Sequence, residues 1–460
     1  MTKRYDAIII GTGQSGPALA HRLANAGMTV AVAERHKFGG TCVNTGCIPT
    51  KAMVASAYAA RVAQRAAEYG VNIGGPIAVD LEKVQARKDA ISGASSKGVE
   101  EGLKSLHPRC IIYRGHARFS GPKEVTVNGE ALTADRIFVN VGGRAVAPDV
   151  PGLDRVPYLT NSGMMRLQEL PEHLIVLGGS YIGLEFGQMF RRFGSRVTIV
   201  EHGARLIKRE DEDISSAILD ILKGEAIDVR LNARDLAFDG RAGAVEVRLN
   251  SPSGVATIAG THLLVATGRR PNTDDLGLEA AGIEQDDRGN IVVDDELRTS
   301  ADGVWALGDC NGRGAFTHTS YNDFEIVAGN LLDKQARRVS DRITAYGLFI
   351  DPPLGRAGMT EAEARTRGRP VMVGMRPMTR VGRAVEKGEA QGLMKILVDR
   401  DSREILGAAV LGPGGDEAIH CVLDLMYAKA PCDVLQRAMH IHPTVSELLP
   451  TIVGELKPLD

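Results

Sequence analysis

Cys42 and Cys47, with four residues between them, lie in the stretch Gly39 to Lys51, G-G-T-C-V-N-T-G-C-I-P-T-K. Its glycines read as a loop, and the alanine-rich run Thr50 to Ala67 reads as a helix. The first turn of a helix presents free N–H groups and the positive end of the dipole, so a sulfur there favours its thiolate. Cys47 falls at that turn. Two cysteines at this spacing can close as a disulfide and reopen by exchange, one sulfur attacking a substrate and the other resolving. The pair alone also fits two small buried residues or half of a zinc site. Zinc requires two more ligands close by, whereas the next cysteine is Cys110 and no C-x2-C occurs.

A second reactive group stands near the end of the chain, in the run His440-Ile-His442-Pro-Thr-Val-Ser-Glu447. Histidine titrates near neutrality and serves as a general base, and a carboxylate can fix its tautomer. Surface or structurally satisfied histidines fit the same run. Spacing does not show whether Glu447 reaches His442.

Two repeated units can carry such groups. Tyr5 to Ile10 is an apolar strand ending in Gly11-Thr-Gly13-Gln-Ser-Gly16, followed by a helix from Pro17 to Ala26, a strand from Thr29 to Ala33, and Glu34. Glycines there admit a tight turn and a close pyrophosphate, and the acid accepts from a ribose hydroxyl. The second unit runs from Leu174 to Glu201, with Gly178-Gly-Ser180-Tyr-Ile-Gly183 at its turn. In both, the acid follows the last glycine by 18 residues. Two dinucleotides, one per Rossmann-like domain, are the simplest reading. Ser180 replaces the middle glycine, so the approach to pyrophosphate is more crowded. Glu201 favours the free 2′-hydroxyl of NADH over the phosphate of NADPH. Arg205, Lys208 and Arg209 follow, either as a solvated face or turned inward to accept a phosphate.

Between the units, Leu81 to Leu106 reads as a helix capped by Asp80, and 110 to 141 as short strands with a hairpin turn at Asn128-Gly129. Val304 to Asp309 is a strand whose terminal acid is either a turn residue or a hold on a polyol hydroxyl. The last 120 residues lack a fingerprint and read as a mixed α+β domain, with strands at Ile343 to Ile350, Val371 to Met378, Leu393 to Val398 and Ile405 to Val410. A capping box stands at Thr360-x-x-Glu363 and a helix at Asp416 to Ala430.

The chain's 460 residues suffice for two or three domains. With 53 glycines and 4% aromatics, they suit an α/β protein rather than a β-sandwich. A formal charge of −2 from 55 basic and 57 acidic residues, well mixed, advertises neither a nucleic-acid nor an anionic-membrane surface. Six irregularly spaced cysteines point to a reducing compartment, and no signal peptide or membrane span is visible, so a cytoplasmic protein is expected.

Taken in order, the redox loop, both fingerprints, V-A-T-G (265–268), A-L-G-D (306–309) and H-P-T-V-S-E (442–447) resemble the flavoprotein disulfide reductases of the pyridine nucleotide class. The resemblance covers essentially the whole chain. It implies two Rossmann-like domains plus an α+β dimerisation domain: FAD-binding at 1–147 and 269–341, NAD(P)-binding at 148–268, and dimerisation at 342–460. It implies FAD on Gly11, Gly13, Gly16, Glu34, Gly40, Thr41 and Asp309, and NADH, with NADPH possible, on Gly178, Ser180, Gly183, Glu201 and Gly268. Lys51 and Glu185 match the pair beside flavin and nicotinamide. By the same resemblance, Cys42–Cys47 is a redox disulfide with Cys47 on the flavin side and Cys42 meeting substrate. His442 is the acid/base oriented by Glu447, supplied across a homodimer. Tyr181 matches a gate over the nicotinamide or simply packs the helix start. No resident metal is implied.

Lipoamide dehydrogenases resemble the loop, yet usually show an A-H-K-A stretch where this chain has A-F-T-H-T-S-Y-N-D (315–323). That stretch and I-D-P-P-L-G-R-A-G-M-T (350–360) look more like mercuric-reductase-like oxidoreductases, including the branch associated with reactive-chlorine resistance. True mercuric reductases carry a C-terminal cysteine pair; the tail G-E-L-K-P-L-D has none, and no metal-binding domain precedes the first fingerprint. The expectation is a small-molecule reductase acting on a disulfide, a thiol-reactive oxidant or a metal ion. A lipoamide dehydrogenase is the alternative, and a true mercuric reductase or a non-catalytic flavin sensor ranks below both.

Overall fold

Eight residues, Lys3–Ile10, form the central strand of the first sheet, and their apolar half is buried on both faces, as parallel strands require. A computed structural model describes residues 2–459 of the chain. Val30–Glu34 and Glu130–Val139 flank the central strand in parallel, and Cys110–Arg114 adds beyond Val30–Glu34. Ala117–Gly121 and Glu124–Val127 extend the other edge antiparallel. Asn128 and Gly129, with φ of 51° and 82°, make the expected two-residue hairpin. Much later in sequence, Val304–Ala306 pairs in parallel with Glu130–Val139. The chain therefore leaves this sheet and returns to it, bringing Asp309 to the end where the first fingerprint lies.

The second parallel sheet is ordered Asp228–Arg230, Arg196–Val200, His173–Leu177, His262–Val265. Helix Tyr181–Phe193 covers it, burying Leu184, Phe186, Met189, Phe190 and Phe193. The third large sheet is antiparallel: Ala345–Leu348, Leu354–Gly358, Ile405–Leu411, Leu393–Asp399, Val371–Pro377 and Lys457–Pro458. Helix Gly415–Tyr427 packs on it.

Several elements differ from expectation. The redox helix spans Cys47–Gln64, starting before Thr50. Pro49 is tolerated because the first helical N–H groups have no partner within the helix. The chain also folds a meander, Arg234–Arg241, Ala244–Ser251 and Gly254–Gly260, and two helices, Glu212–Gly224 and Thr317–Leu332, that the sequence reading left unassigned. Asp80 caps Leu81–Lys104 by accepting from Lys83 N, and Thr360 and Glu363 form the reciprocal box. No helix among the described residues is long and apolar enough to cross a membrane.

Candidate active site

At the first fingerprint, Gly11 has φ +101°, and a Cβ there would meet the Asn140 carbonyl oxygen at 2.3 Å. A Cβ on Gly16 would strike the Gly11 oxygen at 2.3 Å, so helix and strand ends meet as closely as backbone allows. Glu34 Oε2 accepts from the Thr12 amide at 2.9 Å and the Thr12 hydroxyl at 2.6 Å, and Oε1 from the His36 amide at 2.8 Å. The carboxylate is thereby fixed at the strand end. Beside Gly13 lies Asn140 Nδ2, a buried donor without a partner among the described residues. A bare glycine turn, a fixed acid and a spare donor fit a dinucleotide. Asp309 is half-buried 3.5 Å from Arg269, and burial raises its carboxyl above the usual range despite that partner. It suits a hydroxyl-bearing ligand.

The second fingerprint repeats the geometry. Gly178 has φ +114°, and a Cβ on Gly183 would lie 2.0 Å from the Gly178 oxygen. Glu201 accepts from the amides of Gly179 at 2.7 Å and Gly203 at 2.6 Å. Ser180 caps the helix with φ −118°, an extended conformation open to any residue, and its hydroxyl makes no capping bond. Gly268 has open space around its Cβ position, with Val146 nearest at 3.6 Å. The basic run is not uniformly solvated: the Arg209 guanidinium lies over the rings of Tyr181 and Tyr346, 5.3 and 5.5 Å away.

The redox loop lies against the first fingerprint. Gly40, with φ +62°, would place a Cβ 2.9 Å from Gly13 Cα, so only a glycine lets the two loops touch. Thr41 and Cys42 then sit on the short helix Gly40–Asn44, with Thr41 exposed and Cys42 half-buried. Cys47 is the first residue of its helix and is exposed. Both cysteines are thiols here. Their acidities diverge. The hydrogen bond with Cys42, the Thr317 hydroxyl and the Lys51 charge pull Cys47 down to about 6, against burial. Cys42 is pushed far above the ordinary thiol range by that same bond and by burial.

Lys51, one turn along, reaches Glu185 Oε2 at 2.8 Å on the helix of the second fingerprint. Glu185 Oε1 accepts from Phe349 N at 3.1 Å, and the Lys51 ammonium lies 4.3 Å from the Phe349 ring centroid. Three segments distant in sequence thus meet at one ion pair. Tyr181 packs edge-on against Phe316 and Tyr346, at 5.9 and 5.7 Å, and Tyr346 donates to Glu210 Oε1 at 2.5 Å. Tyr181 thus belongs to an aromatic cluster, not only to the start of its helix.

His442 Nδ1 lies 2.7 Å from Glu447 Oε2, the contact that spacing left open. His440 bonds instead to the Ser446 carbonyl at 2.7 Å, closing the same loop. The His442 side chain is 81% exposed, with Met439 and Ile441 exposed beside it. Among the described residues of one chain, no hydrogen bond or ion pair joins His442 to either cysteine. Thr317, Phe349, Tyr346, Thr12 and Asn140 are site residues that the sequence reading missed; only Asn140, a lone polar residue closing an apolar strand, offered a signal.

The family model described as pyridine nucleotide-disulphide oxidoreductase matches residues 5–323, and that of its dimerisation domain residues 344–453. A probable pyridine nucleotide-disulfide oxidoreductase of Escherichia coli, RclA, is 36% identical over 99% of this chain and all of that protein. A mercuric reductase of Streptomyces lividans is 36% identical over 97% of this chain and 94% of its own. A dihydrolipoyl dehydrogenase of Thermus scotoductus is 33% identical over 97% and 96%. The solved HOCl-induced flavoprotein disulfide reductase RclA superposes with a TM-score of 0.88 at 36% identity, covering 98% of this chain and 99% of that one. Matched along nearly its whole length, the chain belongs to the pyridine nucleotide-disulphide oxidoreductases, and is an NAD(P)H-dependent flavoprotein disulfide reductase that uses FAD.

Proposed function

We propose that this reductase prefers NADH and passes electron pairs through Cys42 and Cys47 to a thiol-reactive oxidant, a small disulfide or a soft metal ion. The observation that carries the reading is the placement of the two sulfurs: Cys47 begins its helix with the Thr317 hydroxyl 3.1 Å from its sulfur and Lys51 one turn along, and Cys42 stands on the short helix just before it. Bound FAD supplies hydride acceptance from the nicotinamide and return of the electron pair to the Cys42–Cys47 disulfide. Lys51 and Glu185 fix charge beside that transfer, as they are locked to each other and to Phe349. Gly11, Gly13, Gly16, Glu34, Gly40, Thr41 and Asp309 are the proposed FAD residues. Gly178, Ser180, Gly183, Glu201 and Gly268 are those for the nicotinamide dinucleotide.

In the reduced pair Cys42 holds its proton, so it requires a base before it can attack. His442 of the partner subunit is the proposed base, with Glu447 holding Nδ1 and leaving Nε2 to take the thiol proton. Against a disulfide, the Cys42 sulfur attacks and one thiolate departs, taking the proton from His442. Cys47 then attacks Cys42, releasing the second thiolate and re-forming the disulfide. The dimerisation domain and the exposed run Met439 to His442 support a homodimer that shares this site. The domain bounds proposed are 1–147 with 269–341 for FAD, 148–268 for nicotinamide dinucleotide, and 342–460 for dimerisation. Return of the strand Val304–Ala306 to the first sheet supports them. The cytoplasm is the proposed location, on the irregular spacing of the six cysteines.

The choice of acceptor follows the relatives. The E. coli RclA structures are described as HOCl-induced and include a Cu(II) complex. The test is NADH oxidation by the FAD-loaded protein with Cu(II), small disulfides or lipoamide as acceptor, with Cys42→Ser as control. Cu(II) or disulfide turnover that Cys42→Ser abolishes, with FAD retained, supports the reading. Full turnover by that variant sinks it, and fast lipoamide turnover would make the protein a lipoamide dehydrogenase.

A further inference from the structure

Arg209 lies in the loop that joins the strand Arg196–Val200 to the helix Glu212–Gly224, and the loop is anchored on both sides of it. Before it, Ile207 N donates to the Gly179 carbonyl at 2.9 Å, and Leu206 and Ile207 are buried. After it, the buried Glu210 accepts from the Tyr346 hydroxyl at 2.5 Å, and Asp211 accepts from Arg356 Nη1 at 3.2 Å and Glu361 N at 2.8 Å. Between these anchors the Arg209 side chain is exposed. Its guanidinium lies over the rings of Tyr181 and Tyr346, and among the described residues it makes no ion pair with a carboxylate. Ring faces hold an exposed cation weakly and leave a guanidinium with N–H donors to give.

Tyr181 begins the helix Tyr181–Phe193, and Ser180 before it makes no capping bond to the first N–H groups. Glu185, four residues on, shares the helix face of Tyr181 and holds Lys51 of the redox helix. Arg209 therefore stands beside the start of this helix, on the side that meets the redox helix. Glu201 is held elsewhere on the turn, by the amides of Gly179 and Gly203, and the basic side chain 2.8 Å from it is His202 rather than Arg209. A 2′-phosphate belongs by Glu201, at the adenosine ribose, whereas a pyrophosphate belongs at the helix start.

We infer that Arg209 is a further dinucleotide-binding residue, whose guanidinium leaves the two rings for the pyrophosphate and so serves NADH and NADPH alike. The inference rests on the reading of the second fingerprint as the nicotinamide dinucleotide site. Guanidinium–phosphate bonds are charge-assisted and bidentate, which a ring face cannot match, so the exchange runs toward the ligand. The fingerprint turn offers backbone N–H groups, and Arg209 adds the charged side chain.

The test is binding to the FAD-loaded full chain, measured by calorimetry with NAD⁺ and ADP-ribose, which both carry the pyrophosphate and cannot reduce the flavin. Arg209→Met keeps an apolar stem over the rings, and Arg209→Lys keeps the charge. The expected result is a Kd for both ligands raised about tenfold in Arg209→Met and about threefold in Arg209→Lys, with a shallower salt dependence in Arg209→Met. NADP⁺ should weaken by the same factor as NAD⁺. N-benzyl-dihydronicotinamide, which carries no phosphate, should reduce the flavin of both variants within about twofold of the parent rate. Unmoved binding in Arg209→Met overturns the inference. So does a loss confined to NADP⁺, which would place Arg209 on the 2′-phosphate, and so does an equal loss with the phosphate-free donor, which would make Arg209 a support for the Tyr181 ring alone. Should Arg209→Met lose its flavin, Arg209→Gln is read the same way. Failure of the underlying site reading shows separately, as NAD⁺ binding unchanged in Glu201→Ala; with that binding weakened and Arg209→Met unmoved, only the role of Arg209 falls.

Discussion

Lys51 and Glu185 meet at 2.8 Å between two helices distant in sequence, the redox helix and the helix of the second fingerprint. Glu185 is nearly buried, at 8% exposure, and Lys51 a third exposed. Removing the ammonium leaves a carboxylate in a poorly solvated place, with only the Phe349 amide to satisfy it.

Lys51→Met is therefore expected to slow reduction of the flavin by NADH by about tenfold to a hundredfold, since a preorganised charge is lost beside the transfer. Stopped-flow bleaching of flavin absorbance measures it. Glu185→Gln keeps the shape and should fall between parent and Lys51→Met. Equal rates in all three would show the pair to be structural only.

His442 and Glu447 are proposed to act on the other half of the cycle. His442→Gln should cut acceptor turnover by about 10²–10⁴-fold, the range for a lost general base. Flavin reduction by NADH should stay within about twofold of the parent, because the proposed role of His442 is to take the Cys42 proton, a step that follows hydride transfer. Glu447→Gln keeps a hydrogen bond to Nδ1 and should lose less. Separate measurement of the two half-reactions decides it.

What was legible and what was not divides along one physical line. Gly11, Gly16, Gly178 and Gly183 were visible because positive φ at Gly11 and Gly178, and backbone contacts at 2.0–2.5 Å at all four, dictate residue type locally. The capping box at Thr360 and the hairpin at Asn128 were visible for the same reason. Phe349, Tyr346 and Thr317 were not, because each reaches the site from another segment and owes its role to the docking of Ala345–Leu348 against two domains. Phe349 and Tyr346 follow no period and fill no motif, and Thr317 lies in the stretch 315–323 without its type announcing a contact to Cys47. In the meander from 234 to 260 charged and small residues break the alternation of the two outer strands, whereas Ala244–Ser251 does alternate buried Val245, Val247 and Leu249 with exposed residues and was legible as a strand, though left unassigned.

Glu201 gives a prediction on cofactor choice. Its two oxygens are fixed by the amides of Gly179 and Gly203, so it cannot swing away from a 2′-phosphate. NADH should be preferred over NADPH by at least about tenfold in kcat/KM. Glu201→Ala should reduce that ratio by about tenfold, through weaker use of NADH and relief of repulsion toward NADPH. Parallel kinetics with both nucleotides test it, and a parent that favours NADPH would assign Arg205, Lys208 or Arg209 to the phosphate.

Arg192 gives the prediction on stability. Its guanidinium, 5% exposed, lies 2.6 Å from Glu225 Oε1 and 2.6 Å from Asp351 Oδ2, tying the helix of the second fingerprint to the segment that leads out of the strand Ala345–Leu348. Arg192→Met keeps bulk but strands two carboxylates, at a cost of about 3–5 kcal/mol. The pH dependence follows from Asp351. Burial raises its pKa even with Arg192 present, and losing the cation raises it further. A carboxyl whose folded pKa lies above its unfolded value costs stability above both, and the cost fades as pH falls through the folded value and the proton returns. Urea midpoints of parent and Arg192→Met should thus differ most near neutrality and converge on acidification. Adding Asp351→Asn to Arg192→Met should recover part of the loss at neutral pH and flatten that convergence, because the group that titrates is gone. A gap that widens toward acid would mean that Asp351 is not the charge Arg192 compensates.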